Sequence, residues 1–198
     1  MSRSLTAIVL AAGESKRMGM QKALLEWNGI PLIAYQLQQL AAVDAMQKII
    51  VVTGYEAGRV RDIASSHPLA VVVHNAEYRS GKVSSIVAGL RALDDSASEI
   101  MLLGVDQPRS ARVLQGILAG HVMFGAAITV PVCRGRRGHP AVFAQELLPQ
   151  LLAITEGTKG LREILRSHAA EVHEVECDES VLVDLNERAD VRAASRDF

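Results

Sequence analysis

"LTAIVLAAGESKRMGMQKALLEW", residues 5–27, decides the fold. It opens on an apolar run, Thr6–Leu10, and passes abruptly into small residues, glycines and basic side chains. A run that is apolar at nearly every position, rather than at every second one, reads as a strand covered on both faces, as in the parallel sheet of an α/β domain. Behind it, Ala11, Ala12 and Gly13 remove side-chain bulk, so that a backbone with exposed N–H groups can approach a ligand closely. Arg17 and Lys22 then add a planar fork and a compact ammonium, two forms of positive charge suited to the oxygens of a polyphosphate. The plainer alternative is a solvated basic turn between a strand and a helix. The stretch is neither the G-x-G-x-x-G dinucleotide fingerprint nor the G-x-x-x-x-G-K-[ST] phosphate loop.

The same alternation continues downstream. Lys48–Thr53, Leu69–His74 and Ile100–Val105 are further short runs rich in Val, Ile and Leu. Between them, Leu32–Ala42, Gly58–Ser65 and Ser84–Leu93 carry apolar residues at helical spacing, with Pro31 suited to a first helical turn. This order predicts an open, mostly parallel sheet with right-handed crossovers. Further on, the pattern predicts a helix over Arg112–His121, strands over Ala126–Pro131 and Ala141–Phe143, and short helices over Glu146–Leu152 and Gly160–Ser167. An edge strand over Glu171–Val175 follows, and the end of the chain reads as a strand, a turn and a final helix. Residues 1–198 contain no repeat, low-complexity tract or long linker, so a single domain is expected.

Composition narrows the function classes. With 49% hydrophobic and 22% charged residues among 198, the chain reads as an ordinary globular protein with a core of ample size. A formal net charge of −1 gives no global basic field, which argues against a nucleic-acid binder and makes any anion site local. Cys133 and Cys177 are far apart in sequence and match no metal-binding spacing. No stretch resembles a secretory leader or approaches the ~20 apolar residues of a membrane span, so a cytoplasmic location and no membrane partner are expected.

In an open α/β sheet, ligands bind beyond the carboxyl ends of the strands. The unusual residues fall there: Gly13–Lys22 after the first strand, Asn75–Ser85 after the third, and Asp106-Gln107-Pro108 after the fourth. Asp106 suits Mg²⁺, which takes one or two protein carboxylates and leaves its remaining positions to water and substrate phosphates. Its alternative role is a turn former. Asn75 and the start of the helix near Ser84 are placed to hydrogen-bond a base and ribose, and a helix N-terminus also favours anions. Ser84 alternatively serves as a helix cap.

Taken together, these segments resemble the MobA-like nucleotidyltransferase superfamily. "LAAGESKRMGMQK" at 10–22 follows its L-A-(A/G)-G…R-M-G…K signature, and Asp106-Gln107-Pro108 its D-Q-P element. "NAEYRSGKVSSIVAGL" at 75–90 follows N-x-x-W-x-x-G-x-x-S-S-x-x-x-G-L, with Tyr78 in place of the tryptophan and Lys82-Val83 in place of small residues. "GRRGHPAVF" at 135–143 resembles a segment of the molybdenum cofactor cytidylyltransferase branch, whereas "ITEGTKGLREIL" at 154–165 fits that branch only loosely around Lys159. "LVDLNERADV" at 182–191 resembles the closing motif, with Asn186 where cytidylyl-transferring relatives tend to carry Asp.

The resemblance implies a Rossmann-like three-layer nucleotidyltransferase fold. It implies nucleotide contacts at Leu10, Ala11, Ala12, Gly13, Asn75, Ser84 and Ser85, phosphate contacts at Arg17 and Lys22, and Mg²⁺ held by Asp106 with Asn186, Asp184 being the alternate. Arg137 and His139, with Arg134 and Arg136 beside them, would receive an anionic acceptor of the molybdopterin type. Ala12 favours CTP over GTP. The implied reaction is transfer of CMP to that acceptor with release of pyrophosphate, the product passing to a molybdenum hydroxylase. Open alternatives are GMP transfer, another phosphorylated acceptor, or a non-catalytic maturation factor that carries the cofactor.

Overall fold

The computed structural model describes residues 4–15, 18–158 and 160–194. Its strands are β1 (Leu5–Ala11), β2 (Glu26–Trp27), β3 (Ile30–Pro31), β4 (Met46–Thr53), β5 (Ala70–His74), β6 (Glu99–Gly104), β7 (Ile128–Cys133), β8 (Arg136–Arg137), β9 (Ala141–Ala144) and β10 (Val172–Glu176). Its helices are α1 (Leu32–Ala41), α2 (Ala57–Ser65), α3 (Lys82–Leu90), α4 (Ala111–Phe124), α5 (Leu148–Leu152), α6 (Leu161–Ser167) and α7 (Arg188–Ala194).

β1 lies inside the sheet, which explains its unbroken apolar sequence. It pairs in parallel with β4 on one side and β6 on the other, in the order β10-β7-β9-β6-β1-β4-β5, with β8 attached to β7. Alternate residues of these strands feed two cores. Ala7, Val9, Ile49, Val51, Met101 and Leu103 pack with Ile33, Leu37 and Leu40 of α1 and with Leu114 and Ile117 of α4. Ile8, Ile50, Val52, Ile100 and Leu102 pack on the other face with Ile86 and Leu90 of α3, Leu151 of α5 and Ile164 of α6. Each such side chain contributes roughly 1.5–3 kcal/mol by leaving water. Gly89 allows α3 to lie close on this face, since a Cβ there would stand 2.5 Å from Ile8 Cγ2.

The sheet is mixed and mostly parallel, with helices on both faces, as expected. It departs from the simple alternation at β9, which runs antiparallel between β6 and β7 and pairs Met101 with Val142 and Thr129 with Val142 on its two sides. The residues at 26–31 form a β2–β3 hairpin closed by Asn28 and Gly29, both at positive φ, so Pro31 ends a strand instead of entering the first turn of α1. Near the end of the chain no strand forms over 181–183. Glu179–Leu182 is a 3-10 turn, and the Val181 and Val183 carbonyls are taken by the Arg109 guanidinium instead of by a ladder.

The topology also locates a crevice. From β1 the chain steps outward to β4 and β5, then returns to lay β6 on the opposite side of β1. The segments leaving β1 and β6 therefore part at their carboxyl ends, which is where doubly wound sheets receive ligands.

Candidate functional site

A cleft of about 320 Å³ opens at that point. Leu10–Gly13 and Ser15 form one wall, Gly104–Asp106 the other, and Tyr78, Gly81, Lys82 and Ser85 the rim before and within α3. The small residues after β1 are held from behind: Gln21, itself buried, donates from Nε2 to the carbonyls of Ala11 (3.3 Å) and Tyr55 (3.0 Å), and Tyr55 N donates to Ala12 O (3.1 Å). A Cβ on Gly13 would meet nothing within 4 Å, so this glycine borders open space. Gly54 is the opposite case, since a Cβ there would stand 2.7 Å from Tyr78 Cβ and 2.8 Å from Ala12 O. The bare backbone of Gly54 is what lets Tyr78 reach the cleft.

At one end of the cleft three segments distant in sequence converge. Lys22 Nζ donates to Asp106 Oδ2 at 2.6 Å and to Asn186 Oδ1 at 3.0 Å. Asn186 is held in place by its own segment: Leu185 N donates to Asp106 O (2.9 Å), and the amides of Asn186 and Glu187 both donate to Asp190 Oδ2 (2.8 and 2.7 Å). Asp184 is exposed and accepts from Asn186 N through its carbonyl, so Asn186 is the member of the pair brought to Lys22. Two side-chain oxygens thus surround one cationic atom. That donor set fits a hard divalent cation, for which the ammonium serves here as a stand-in. Among the described residues no group of three or more His, Cys, Asp and Glu side chains converges.

Behind the rim lies a second chamber of about 420 Å³, walled by apolar residues such as Val83, Ile86, Val130, Phe143 and Leu165 and bordered by Arg137, His139, Glu156 and Arg162. Arg137 Nε is paired with Glu174 Oε1 at 2.8 Å. Reduced solvation of the His139 ring, reinforced by the charge of Lys82, holds the pKa of its imidazole below the ordinary value. Glu156 Oε1 accepts from Val83 N (2.8 Å) and fills the space beside Gly81, whose φ of 127° suits glycine.

The sequence-derived residues divide by position. Leu10, Ala11, Ala12, Gly13, Lys22, Ser85 and Asp106 line the cleft, and Arg137 and His139 line the chamber. Asn75 and Ser84 do neither. Asn75 Nδ2 donates to Ser84 Oγ (2.9 Å) and Ser85 Oγ (3.0 Å), while its Oδ1 accepts from Glu77 N (3.0 Å). Its polar groups hold the loop in shape. Ser84 is not the cap either, because α3 begins at Lys82 behind Gly81. Arg134 and Arg136 turn away to a separate recess of about 790 Å³, where Arg134 pairs with Glu179 at 2.6 Å. Arg17 and Lys159 lie outside the described residues.

Arg109, directly after Asp106-Gln107-Pro108, was not singled out by the sequence. It is fully buried, and its guanidinium donates to four backbone carbonyls: His139 (2.8 Å), Pro108 (2.6 Å), Val181 (2.7 Å) and Val183 (3.0 Å). Burial lowers its pKa to about 10, still charged at neutral pH. The side chain ties the loop after β6, the chamber loop and the C-terminal segment into one unit beneath the site.

Comparison with known proteins agrees with this geometry. The MobA-like NTP transferase domain matches residues 7–172. Nicotine blue oxidoreductase of Paenarthrobacter nicotinovorans is 32% identical over 91% of each chain, and the molybdenum cofactor cytidylyltransferase of Escherichia coli strain K12 is 24% identical over 75% of this chain and 74% of its own. Among solved structures, Rv0371c of Mycobacterium tuberculosis H37Rv superposes with a TM-score of 0.82 at 25% identity, covering 99% of this chain and all of its own, and the same protein is known in complex with manganese. No helix among the described residues is long and apolar enough to cross a membrane. With a family match across most of the chain and a cleft at the switch point of a Rossmann-like sheet, this protein belongs to the MobA-like NTP transferases.

Proposed function

We propose that the protein transfers CMP from CTP to the phosphate of a molybdopterin-type acceptor, with release of pyrophosphate. The observation that carries this reading is the meeting of Lys22, Asp106 and Asn186 at the end of a cleft floored by Leu10–Gly13. The resemblance of the 135–143 segment to the cytidylyltransferase branch, and the E. coli relative of that name, support the acceptor and the nucleotide.

In this reading the backbone from Leu10 to Gly13 lies along the triphosphate, with Arg17 and Lys22 supplying charge to its β- and γ-phosphates. An oxygen of the acceptor phosphate bonds to the α-phosphorus as the bond from that phosphorus to the β-bridging oxygen breaks, the electron pair leaving with pyrophosphate. The acceptor is already an anion at pH 7 and needs no general base. Positioning and charge neutralisation supply the acceleration. Asp106 and Asn186 would hold a divalent cation, Mg²⁺ being the expected one, and when bound it would neutralise phosphate charge as pyrophosphate departs. Lys22, released from Asp106, turns to the phosphates.

The test is a panel of CTP, GTP, ATP and UTP with Mg²⁺ and molybdopterin, read by pyrophosphate release and product mass. CMP-linked product is expected, and Lys22→Ala and Asp106→Ala should each lower turnover about 10²–10³-fold without unfolding the chain. Full turnover in either variant refutes the mechanism. A GMP-linked product moves the assignment to the GTP side, and nucleotide binding without pyrophosphate release points to a cofactor-carrying maturation factor. The P. nicotinovorans relative, named an oxidoreductase, favours a second reading, a redox enzyme working in the same cleft. Turnover of a redox cofactor with no pyrophosphate formed is its mark.

A further inference from the structure

The cleft and the chamber behind it share three lining residues, Leu10, Lys82 and Gly104, and of these only Lys82 carries charge. Lys82 is the first residue of α3, directly after Gly81, with an exposed side chain. Among the described residues the other cations nearby are placed differently. Lys22 is held by Asp106 and Asn186, Arg137 is paired with Glu174, and Arg162 lines only the chamber. The carboxylate lining the chamber, Glu156, accepts from Val83 N.

Resting on the nucleotidyl-transfer reading, we propose that Lys82 is a catalytic residue whose ammonium bridges the nucleotide's α-phosphate and the attacking phosphate of the acceptor. The junction of the two chambers is where those groups must meet. Bringing two anions into contact is the main electrostatic obstacle to this reaction, and one cation between them relieves it as the new P–O bond forms and the bond to pyrophosphate breaks. The chamber's walls add a specificity: mostly apolar, with charge confined to the border, they take a phosphate monoester whose body is apolar or a flat heterocycle. A free sugar phosphate would leave its hydroxyls without partners there. The depressed pKa of His139, to which Lys82 contributes, agrees with the ammonium facing that chamber.

The test uses the full chain with CTP, Mg²⁺ and molybdopterin, comparing wild type, Lys82→Ala and Lys82→Arg. Lys82→Ala should lower kcat about 10²-fold while its affinity for CTP, read by calorimetry, changes less than about 3-fold, and Lys82→Arg should recover most of the loss. Independently of turnover, the NMR titration midpoint of His139 should rise in Lys82→Ala. The assignment is overturned if Lys82→Ala turns over at the wild-type rate, if CTP affinity falls in step with kcat, or if the His139 midpoint does not move. If wild type itself neither binds a nucleotide nor releases pyrophosphate, the nucleotidyl-transfer reading falls first and takes this one with it.

Discussion

Replacing Arg109 by methionine keeps most of the volume of the side chain and removes its charge and all of its donors. Four carbonyls then lose a charged partner: His139, Pro108, Val181 and Val183. Val181 alone retains a second donor, the amide of His139 at 3.0 Å. Charge-assisted bonds contribute roughly 1.5–3 kcal/mol each, which sets a gross loss of at least about 6 kcal/mol. Against this stands the cost of burying the guanidinium. Burial, which lowers the guanidinium pKa to about 10, acts in the opposite direction, and the variant no longer bears that desolvation cost. The net expectation is a loss of about 3–5 kcal/mol, the range found on breaking buried ionic contacts. For a chain of this length each kcal/mol moves the midpoint by about 2–4 °C, so thermal unfolding should begin roughly 10 °C lower. Urea unfolding gives the free energy, and hydrogen exchange at 181–185 reports whether the C-terminal segment has come loose. Arg109→Lys should fare little better, because one ammonium cannot span carbonyls from three segments. A methionine variant within about 1 kcal/mol of wild type, with those amides still protected, refutes the reasoning.

Two further outcomes separate the site from the scaffold. Gly54→Ala places a methyl group 2.7 Å from Tyr78 Cβ, so it should cost about 1–3 kcal/mol and weaken CTP binding as Tyr78 is pushed into the cleft, and calorimetry beside a urea titration measures both. His121 is buried and bonded to Glu99 (2.7 Å) and Thr129 (2.8 Å) at the amino end of β6, so His121→Leu should lower stability by about 2–4 kcal/mol while kcat and KM stay at wild-type values in steady-state assays.

The parallel core was readable because burial on both faces forces a continuous apolar pattern, and Thr6–Leu10, Lys48–Thr53 and Ile100–Val105 each fall within an observed strand or run one residue beyond it. The direction of β9 was not, since four apolar residues pair equally well either way and only the return path from β8 orients them. The β2–β3 hairpin has its signal in Asn28-Gly29 between Trp27 and Ile30, the dipeptide that tolerates two successive positive φ angles. For Asn75 the sequence context cannot show that two serines and an amide are partners of its polar atoms. Arg109 carried no local signal: an arginine after a proline at a strand end reads as surface charge. Its burial arises from carbonyls contributed by residues far along the chain.

The bond between Lys22 and Asn186 joins residues 164 positions apart. During synthesis the Lys22–Asp106–Asn186 cluster therefore cannot be completed until residue 186 has left the ribosome. A nascent chain lacking residue 186 carries Lys22 and Asp106 without the side-chain oxygen that completes their cluster.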